Sequence, residues 1–352
     1  MKIPIQNIYY LLCYAWNKLD EGKRVQVNDS DYNSALELFS RVLINGCNQL
    51  FKRGIERNYS TSIEEYAGIK GKIIFKDSIN NNSFRQGKAY CKFDKYDANT
   101  LPNELLKATI KLLTGVKNID KKIKEELWKS YWKFQNVDDI NLQGNLFSLV
   151  RIHRNNSTYD FLLKICRMIY DNTVIDQKSG KHQFNEFIGN DKAMASLFEA
   201  FIRNFYAKEQ TQFRVRREDI SWDAIPLGGT NENYLPKMQT DVTLESADRK
   251  IIVETKYYSN ALNSRYEAEK FSSGNLYQIY SYLRNIETKL NHPKNREVDG
   301  ILLYPSTGYS LNEKYKIGSH ELCIRTIDLA KTWREVHNEL LNVIKMPAPN
   351  SV

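Results

Sequence analysis

The chain has 352 residues, long for one domain, and an ordinary globular composition of 41% hydrophobic and 26% charged residues. A formal net charge of +9 favours polyanionic partners through phosphate neutralisation, and most of the 22 tyrosines fall at helical spacing, which reads as core rather than a nucleic-acid surface. No apolar run reaches the ~20 residues of a membrane helix, residues 1–7 lack the basic n-region and cleavage site of a secretory signal, and Cys13, Cys47, Cys91, Cys166 and Cys323 form no Cys-x-x-Cys pair for a zinc ribbon, so a cytoplasmic protein with free thiols and no membrane association is expected.

Residues 8–19 carry apolar side chains nearly all round a short helix (Ile8, Tyr9, Leu11, Leu12, Tyr14, Trp16). Such a helix must be buried, in a core or against a partner. Residues 31–53 form a long amphipathic helix with Leu36, Phe39, Val42, Leu43, Cys47, Leu50 and Phe51 on one side. Strands are expected at 57–63 and 71–75, a polar turn at 80–83 and a short extended piece at 91–94. Helices follow at 103–113, 121–134 and 158–170. A boundary is expected within 176–190, where Gln177, Lys178, Ser179, Gly180 and Lys181 are polar. Beyond it come an amphipathic helix at 192–208, a short strand at 213–217, a hairpin, a helix from Asn275, strands at 300–304 and 322–326, and a closing helix at 333–344. That order suits a mixed central sheet flanked by helices.

The hairpin carries the chemistry. Asp241 stands in the apolar stretch from Thr240 to Leu244, a polar turn follows, and Ile251-Ile252-Val253 then delivers Glu254-Thr255-Lys256. Three β-branched residues in a row read as a buried strand. Residues two apart on a strand share a face, so Glu254 and Lys256 point the same way, and the hairpin can bring Asp241 beside them. Two carboxylates suit a Mg²⁺ site, with Mn²⁺ as a substitute, and the lysine would orient or deprotonate the attacking water. The arrangement Asp…Glu-x-Lys resembles the PD-(D/E)xK nuclease motif. On the following helix Gln278 and Tyr282 are four apart and share a face; this Gln-x-x-x-Tyr pattern resembles the element after the catalytic strand in RecB-like nucleases.

Other constellations are weaker. Gly68-Ile69-Lys70-Gly71-Lys72-Ile73 has the wrong spacing for a phosphate loop, with Ile73 where a hydroxyl should hold Mg²⁺; a glycine-flanked strand entrance is the better reading, and no nucleotide is expected on this chain. His153, His182, His292, His320 and His337 form no His-x-x-x-His pair, and no Gly-x-Ser-x-Gly elbow supports serine-hydrolase chemistry. Arg214, Arg216 and Arg217 lie beside the expected sheet, as DNA backbone contacts or as a solvated strand edge. Glu199 sits midway along the preceding helix, where several nucleases of the PD-(D/E)xK class place an extra acidic residue; it is either an accessory to the metal site or a surface residue.

The whole chain resembles the McrC family, the nuclease subunits of McrBC-type modification-dependent restriction systems. The matching stretches are Ile5-Gln6-Asn7-Ile8-Tyr9-Tyr10 with Tyr14-Ala15-Trp16, the Gly68–Ile73 segment, and Phe93-Asp94 with Asn103 and Lys107. They continue through Thr240-Asp241, Glu254-Thr255-Lys256-Tyr257-Tyr258, Asn275-Leu276-Tyr277-Gln278 and Leu302-Leu303-Tyr304-Pro305. Glu254 replaces an Asp used by some members, and either carboxylate binds Mg²⁺. The resemblance implies an α+β chain, with a mixed helix/strand partner-docking domain over 1–185 and a PD-(D/E)xK endonuclease domain over 186–352. It implies a McrB-like AAA+ GTPase ring as partner, stimulated by this chain, and double-stranded, methylcytosine-containing DNA as substrate. A second nuclease-bearing complex would be needed for double-strand cleavage. The alternatives are a stand-alone repair or resolvase-type nuclease and a catalytically silent adaptor of a GTPase.

Overall fold

The computed structural model describes residues 3–24, 34–117, 119–152, 156–175, 182–185, 189–227, 234–258, 262–265, 268–289 and 298–345. The start of the expected 31–53 helix, the polar run from Gln177 to Lys181, His153 and His292 lie outside the described residues. The chain divides into two compact units, one formed by Met1–Asp20 with Phe187–Val352 and the other by Glu21–Glu186. A first helix, α1 (Ile5–Ala15), therefore belongs to the unit that holds the C-terminal sheet, and the expected continuous 1–185 domain is corrected at its start. Among the described residues no helix is long and apolar enough to cross a membrane, and all five cysteines are free and buried.

After a short α2 (Leu19–Arg24), the Glu21–Glu186 unit is built on α3 (Ala35–Arg53), whose start is capped by Ser34 accepting from the Glu37 amide. Leu36, Phe39, Val42, Leu43, Cys47 and Leu50 are buried along it, the face expected from its periodicity. A ribbon follows. Strand β1 (Asn58–Ala67) leads through a turn to β2 (Lys72–Ile73), then α4 (Phe75–Asn80), then β3 (Lys88–Asp97), which pairs antiparallel with both strands. Gly68 and Gly71 have φ of 106° and 70°, and a Cβ on Gly71 would sit 2.4 Å from the Lys92 carbonyl. These glycines serve a turn rather than a phosphate cradle. The expected strand over 71–75 stops early because α4 begins at Phe75.

Helices α5 (Leu101–Thr114), α6 (Lys121–Trp132), α7 (Leu146–Leu149) and α8 (Ser157–Asp171) complete the body, with a small hairpin of β4 (Thr173–Ile175) and β5 (His182–Phe184). The ribbon is rooted in this body by one buried asparagine. Asn103 Nδ2 donates to the carbonyls of Glu56, just before β1, and Ala98, just after β3, each at 2.8 Å. Tyr159 donates to Asn103 Oδ1 at 2.6 Å and accepts from the Glu56 amide at 2.8 Å. Both feet of the ribbon are thus tied to one side chain whose hydrogen-bonding capacity is well used.

The other unit begins its sheet region with α9 (Asp191–Glu209), followed by β6 (Arg214–Arg216), β7 (Asp219–Ile220), β8 (Met238–Gln239), β9 (Val242–Glu245) and β10 (Lys250–Thr255). A hairpin of β11 (Leu262–Arg265) and β12 (Ala268–Phe271) leads to α10 (Ser273–Lys289). Then come β13 (Val298–Ser306), β14 (Asn312–Ile317), β15 (His320–Asp328) and α11 (Trp333–Ile344). The six-stranded sheet runs β14-β15-β13-β10-β9-β6. It is mixed: β10–β13 and β13–β15 are parallel, and the outer pairs are antiparallel. Every residue of β10 and β13 is buried, as their unbroken apolar runs require. Helix α10 packs closely on this sheet over Gly300, where an added Cβ would meet Ile279, Leu283 and Leu322 at 3.0–3.1 Å.

Helix α1 is core. Tyr14 packs its ring against Phe201 and Phe205 of α9 and donates to Glu209 at 2.6 Å. Asn7 reaches the carbonyls of Leu329 and Lys331, and Asn204 satisfies those of Tyr14 and Ala15 at the helix end. Tyr10 stacks on Trp333 at 4.5 Å. An all-round apolar helix has buried itself on the nearest large aromatic face.

Candidate active site

Strand β10 runs buried to its C-terminal end and delivers Glu254 at a point where the neighbouring strand departs. The β9–β10 ladder ends at the pair Val242↔Val253. One step further, Asp241 falls opposite Glu254, at a bend before β9. The Thr255 amide has no ladder carbonyl there and needs an acceptor. Asp241 supplies it: Oδ2 accepts from the Thr255 N–H at 2.8 Å and from Thr255 Oγ1 at 2.7 Å.

Glu254 lies on the same face of β10 as Ile252, the face covered by α10. Its Oε1 accepts from Lys256 Nζ at 2.8 Å and from Gln278 Nε2 at 2.7 Å. Its Oε2 is buried without a partner. Lys256 also donates to Gln278 Oε1 at 2.8 Å. Gln278 Nε2 donates to the Tyr282 hydroxyl at 2.8 Å, and that hydroxyl donates to the Gln239 carbonyl at 3.1 Å. The directions follow from the last bond. A carbonyl can only accept, so the single Tyr282 proton is committed to Gln239 and the hydroxyl must accept from Gln278. The Gln278 carbonyl is then turned toward Lys256. Asp241, Glu254, Lys256, Gln278 and Tyr282 are thus brought together by β9, β10 and α10.

The electrostatics are those of two carboxyl groups crowded into a dry corner. Burial pushes the Glu254 carboxyl up to about 7, the Asp241 charge adds to the rise, and Lys256 only partly offsets it. Burial also raises Asp241, against the two Thr255 hydrogen bonds that favour its ionised form. Burial opposes the charge on Lys256, but the Glu254 carboxylate outweighs it and holds the ammonium above its ordinary value. Among the described residues no group of three or more His, Cys, Asp or Glu side chains gathers as a metal cage. A cation here would take its side-chain ligands from Asp241 and Glu254, and the unpartnered Oε2 fits that need.

Glu199, on α9, is ion-paired with Arg203 at 2.9 Å and Arg217 at 3.1 Å, and Arg203 also reaches the Asp241 carbonyl at 3.3 Å. Its charge contributes to the raised values of both Asp241 and Glu254. The three arginines differ in their ion pairs. Arg216 is bound to Glu245 at 2.5 Å and Glu218 at 3.2 Å, beside a buried Lys250 that pairs with Glu218 at 2.9 Å. It is engaged in this cluster. Arg217 is held by Glu199, and Arg214 is exposed. Thr255, Gln239 and Arg203 escaped the sequence reading. Thr255 carried a faint signal, a hydroxyl between the two motif positions; a contact made by a main-chain carbonyl has none.

Residues 6–305 match the model of a family described as McrBC 5-methylcytosine restriction system component. A relative from Escherichia coli (strain K12), described as type IV methyl-directed restriction enzyme EcoKMcrBC, is 33% identical over 342 residues, covering 97% of each chain. A solved half-complex of Thermococcus gammatolerans McrB AAA+ hexamers with bound McrC contains a similar chain. It aligns with a TM-score of 0.60 at 15% identity, covering 97% of this chain and 76% of that one, which speaks to fold alone. With a family match over most of its length and a full-length relative above 30% identity, the chain belongs to the McrC family of restriction-system components.

Proposed function

We propose that this chain is the nuclease subunit of a GTP-driven restriction complex and hydrolyses phosphodiester bonds in DNA carrying methylcytosine. One observation carries the reading. Glu254 has one oxygen doubly hydrogen-bonded and the other buried and bare, in a carboxyl raised by burial beside Asp241. Such a pair is stable in its ionised form only with a cation between its members. Asp241 and Glu254 would hold Mg²⁺, or Mn²⁺ in its place, and the bound ion would supply charge for the scissile phosphate and acidify the attacking water. The Glu254 carboxylate holds the Lys256 ammonium above its ordinary value, which favours a charged donor that orients the water over a base. Gln278 aims Lys256, and Tyr282 holds Gln278. Glu199 supports the site through its charge, while Arg214, Arg216 and Arg217 are the arginines that would meet the DNA backbone.

The Glu21–Glu186 unit would dock on a McrB-like AAA+ GTPase ring and stimulate GTP hydrolysis. Family membership supports this, and so does the ribbon, where Tyr59, Ile63, Tyr66, Ile69 and Tyr96 stand exposed. No nucleotide is assigned to this chain. One centre cuts one strand, so a double-strand break would take a second nuclease-bearing complex. The test is mutational. Lys256→Ala and Glu254→Ala should abolish cleavage while pull-down with the GTPase is unchanged. Full cleavage by either variant would sink the assignment, and lost assembly would show a structural role instead.

A further inference from the structure

We infer that Thr255, the residue between Glu254 and Lys256, is a positioning residue that selects which oxygen of Asp241 faces a divalent cation. The inference rests on the metal-dependent reading given above. Both Thr255 donors, the main-chain N–H at 2.8 Å and Oγ1 at 2.7 Å, land on the same atom, Asp241 Oδ2. Among the described residues no donor reaches Oδ1. Across the site Glu254 is treated alike: Oε1 takes two hydrogen bonds and Oε2 takes none. Each carboxylate therefore has one oxygen tied down and one left over. A freely turning carboxylate would offer either oxygen and would lose rotamer freedom on binding. Fixed carboxylates present one acceptor each, in advance.

Thr255 suits the task for two reasons. It is buried, 8% exposed, so water does not compete for its hydroxyl. It is β-branched, so χ1 is stiff and Oγ1 stays where the strand puts it. Strand alternation sends its side chain away from Glu254 and Lys256. It reaches the site only because β9 leaves the ladder at Asp241 and lets that carboxylate swing under the Thr255 amide. Groups that orient metal ligands in this way typically cost about 10- to 100-fold in metal affinity or activity when removed.

Thr255→Val keeps the branched shape and the amide but loses the hydroxyl. Thr255→Ser keeps the hydroxyl but loses the methyl. Mn²⁺ binding to the full-length chain, followed by the electron paramagnetic resonance signal of the free ion, separates the two roles. Thr255→Val should bind Mn²⁺ about 10-fold more weakly than the wild type, and Thr255→Ser should recover most of that loss. In the assembled complex with its GTPase partner, Thr255→Val should raise the Mg²⁺ concentration for half-maximal cleavage by a similar factor and lower kcat at saturating Mg²⁺ far less. Equal binding by Thr255→Val and wild type overturns the inference. So does a serine variant as weak as the valine one, which would mark Thr255 as packing. Glu254→Gln serves as the reference: if it binds Mn²⁺ as well as wild type does, the metal reading itself is wrong and this inference goes with it.

Discussion

Two pairs of long strands in this chain are built on opposite terms. In the sheet, β10 and β13 are parallel and buried at every position. In the ribbon, β1 and β3 are antiparallel, and β1 is exposed at every position except Ser62, which is half-buried. Burial on both faces excludes water and holds Asp241, Glu254 and Lys256 in one hydrogen-bonded arrangement, as reaction chemistry needs. Exposure along β1 leaves aromatic side chains in water, including Tyr59, which pairs with the exposed Tyr96 of β3 at 4.8 Å, where a partner can reach them. The ribbon's order is supplied from its foot, by Asn103 and Tyr159, and from a small cluster of Ala89, Cys91 and Phe93 with Ile73 on one face of β3.

The largest effect should come from cutting that foot. Asn103→Ala strands two buried carbonyls and the Tyr159 hydroxyl, and should cost the Glu21–Glu186 unit about 3 kcal/mol, read as a lowered denaturation midpoint. A cost below about 0.5 kcal/mol would mean the ribbon is held by something else, and the contrast with the sheet would blur.

Next comes the protonation of the buried site. Its carboxyl at Glu254 is raised to about 7 by burial and by Asp241. A proton there competes with a cation, so Mg²⁺ affinity should weaken about 10-fold per pH unit below 7. The sign for stability runs the same way. A carboxyl raised above its unfolded value stabilises the metal-free fold at low pH, and that contribution is lost as pH rises from about 4.5 to about 7. The thermal shift given by Mg²⁺ should therefore be larger at pH 8 than at pH 6; equal shifts would contradict the raised value.

A smaller change in the reaction products should report copy number. Mixing wild type with Lys256→Ala in the presence of the GTPase should give nicked circles as a major product, because many paired complexes would hold one dead centre. Only linear and uncut DNA, in proportion to the wild-type fraction, would mean that one chain makes both cuts. The smallest effect on the fold should come from Tyr59→Ala. The residue is 71% exposed, so stability should move by no more than about 0.5 kcal/mol while stimulation of the partner's GTPase falls. Unchanged stimulation would remove this face of the ribbon from the docking surface.

Burial also decides how much of the molecule the residues announce. Ile251-Ile252-Val253 reads as a buried strand, and the structure places it inside the sheet between β13 and β9. Gln278 and Tyr282 read as one helix face, and both turn to Glu254. Strand β14 is not expected from the sequence because its alternation is confined to Lys314-Tyr315-Lys316-Ile317, too short to stand out, and all six of its residues are exposed. Strand β3 is longer than the expected 91–94 at both ends: Ala89, Cys91 and Phe93 are buried, while Asp94, Lys95 and Tyr96 face water and carry no apolar signal as a set. Arg214, Arg216 and Arg217 look equivalent in one dimension, and only their ion pairs in the fold separate them. The destination of α1 was undecided because apolarity shows that a helix is buried without showing where.

That destination fixes an order of events during synthesis. Helix α1 leaves the ribosome well before its packing surface on α9, which begins at Asp191, about 175 residues after Ala15. At about 5–20 residues per second, α1 waits on the order of 10–30 s for the helix it packs against. The Glu21–Glu186 unit can condense in that interval, because its chain is continuous. The unit that holds the six-stranded sheet cannot close over α1 until α9 to β15 are out, so a ribosome that stalls before Asp191 releases a fragment in which α1 has no surface to bury against.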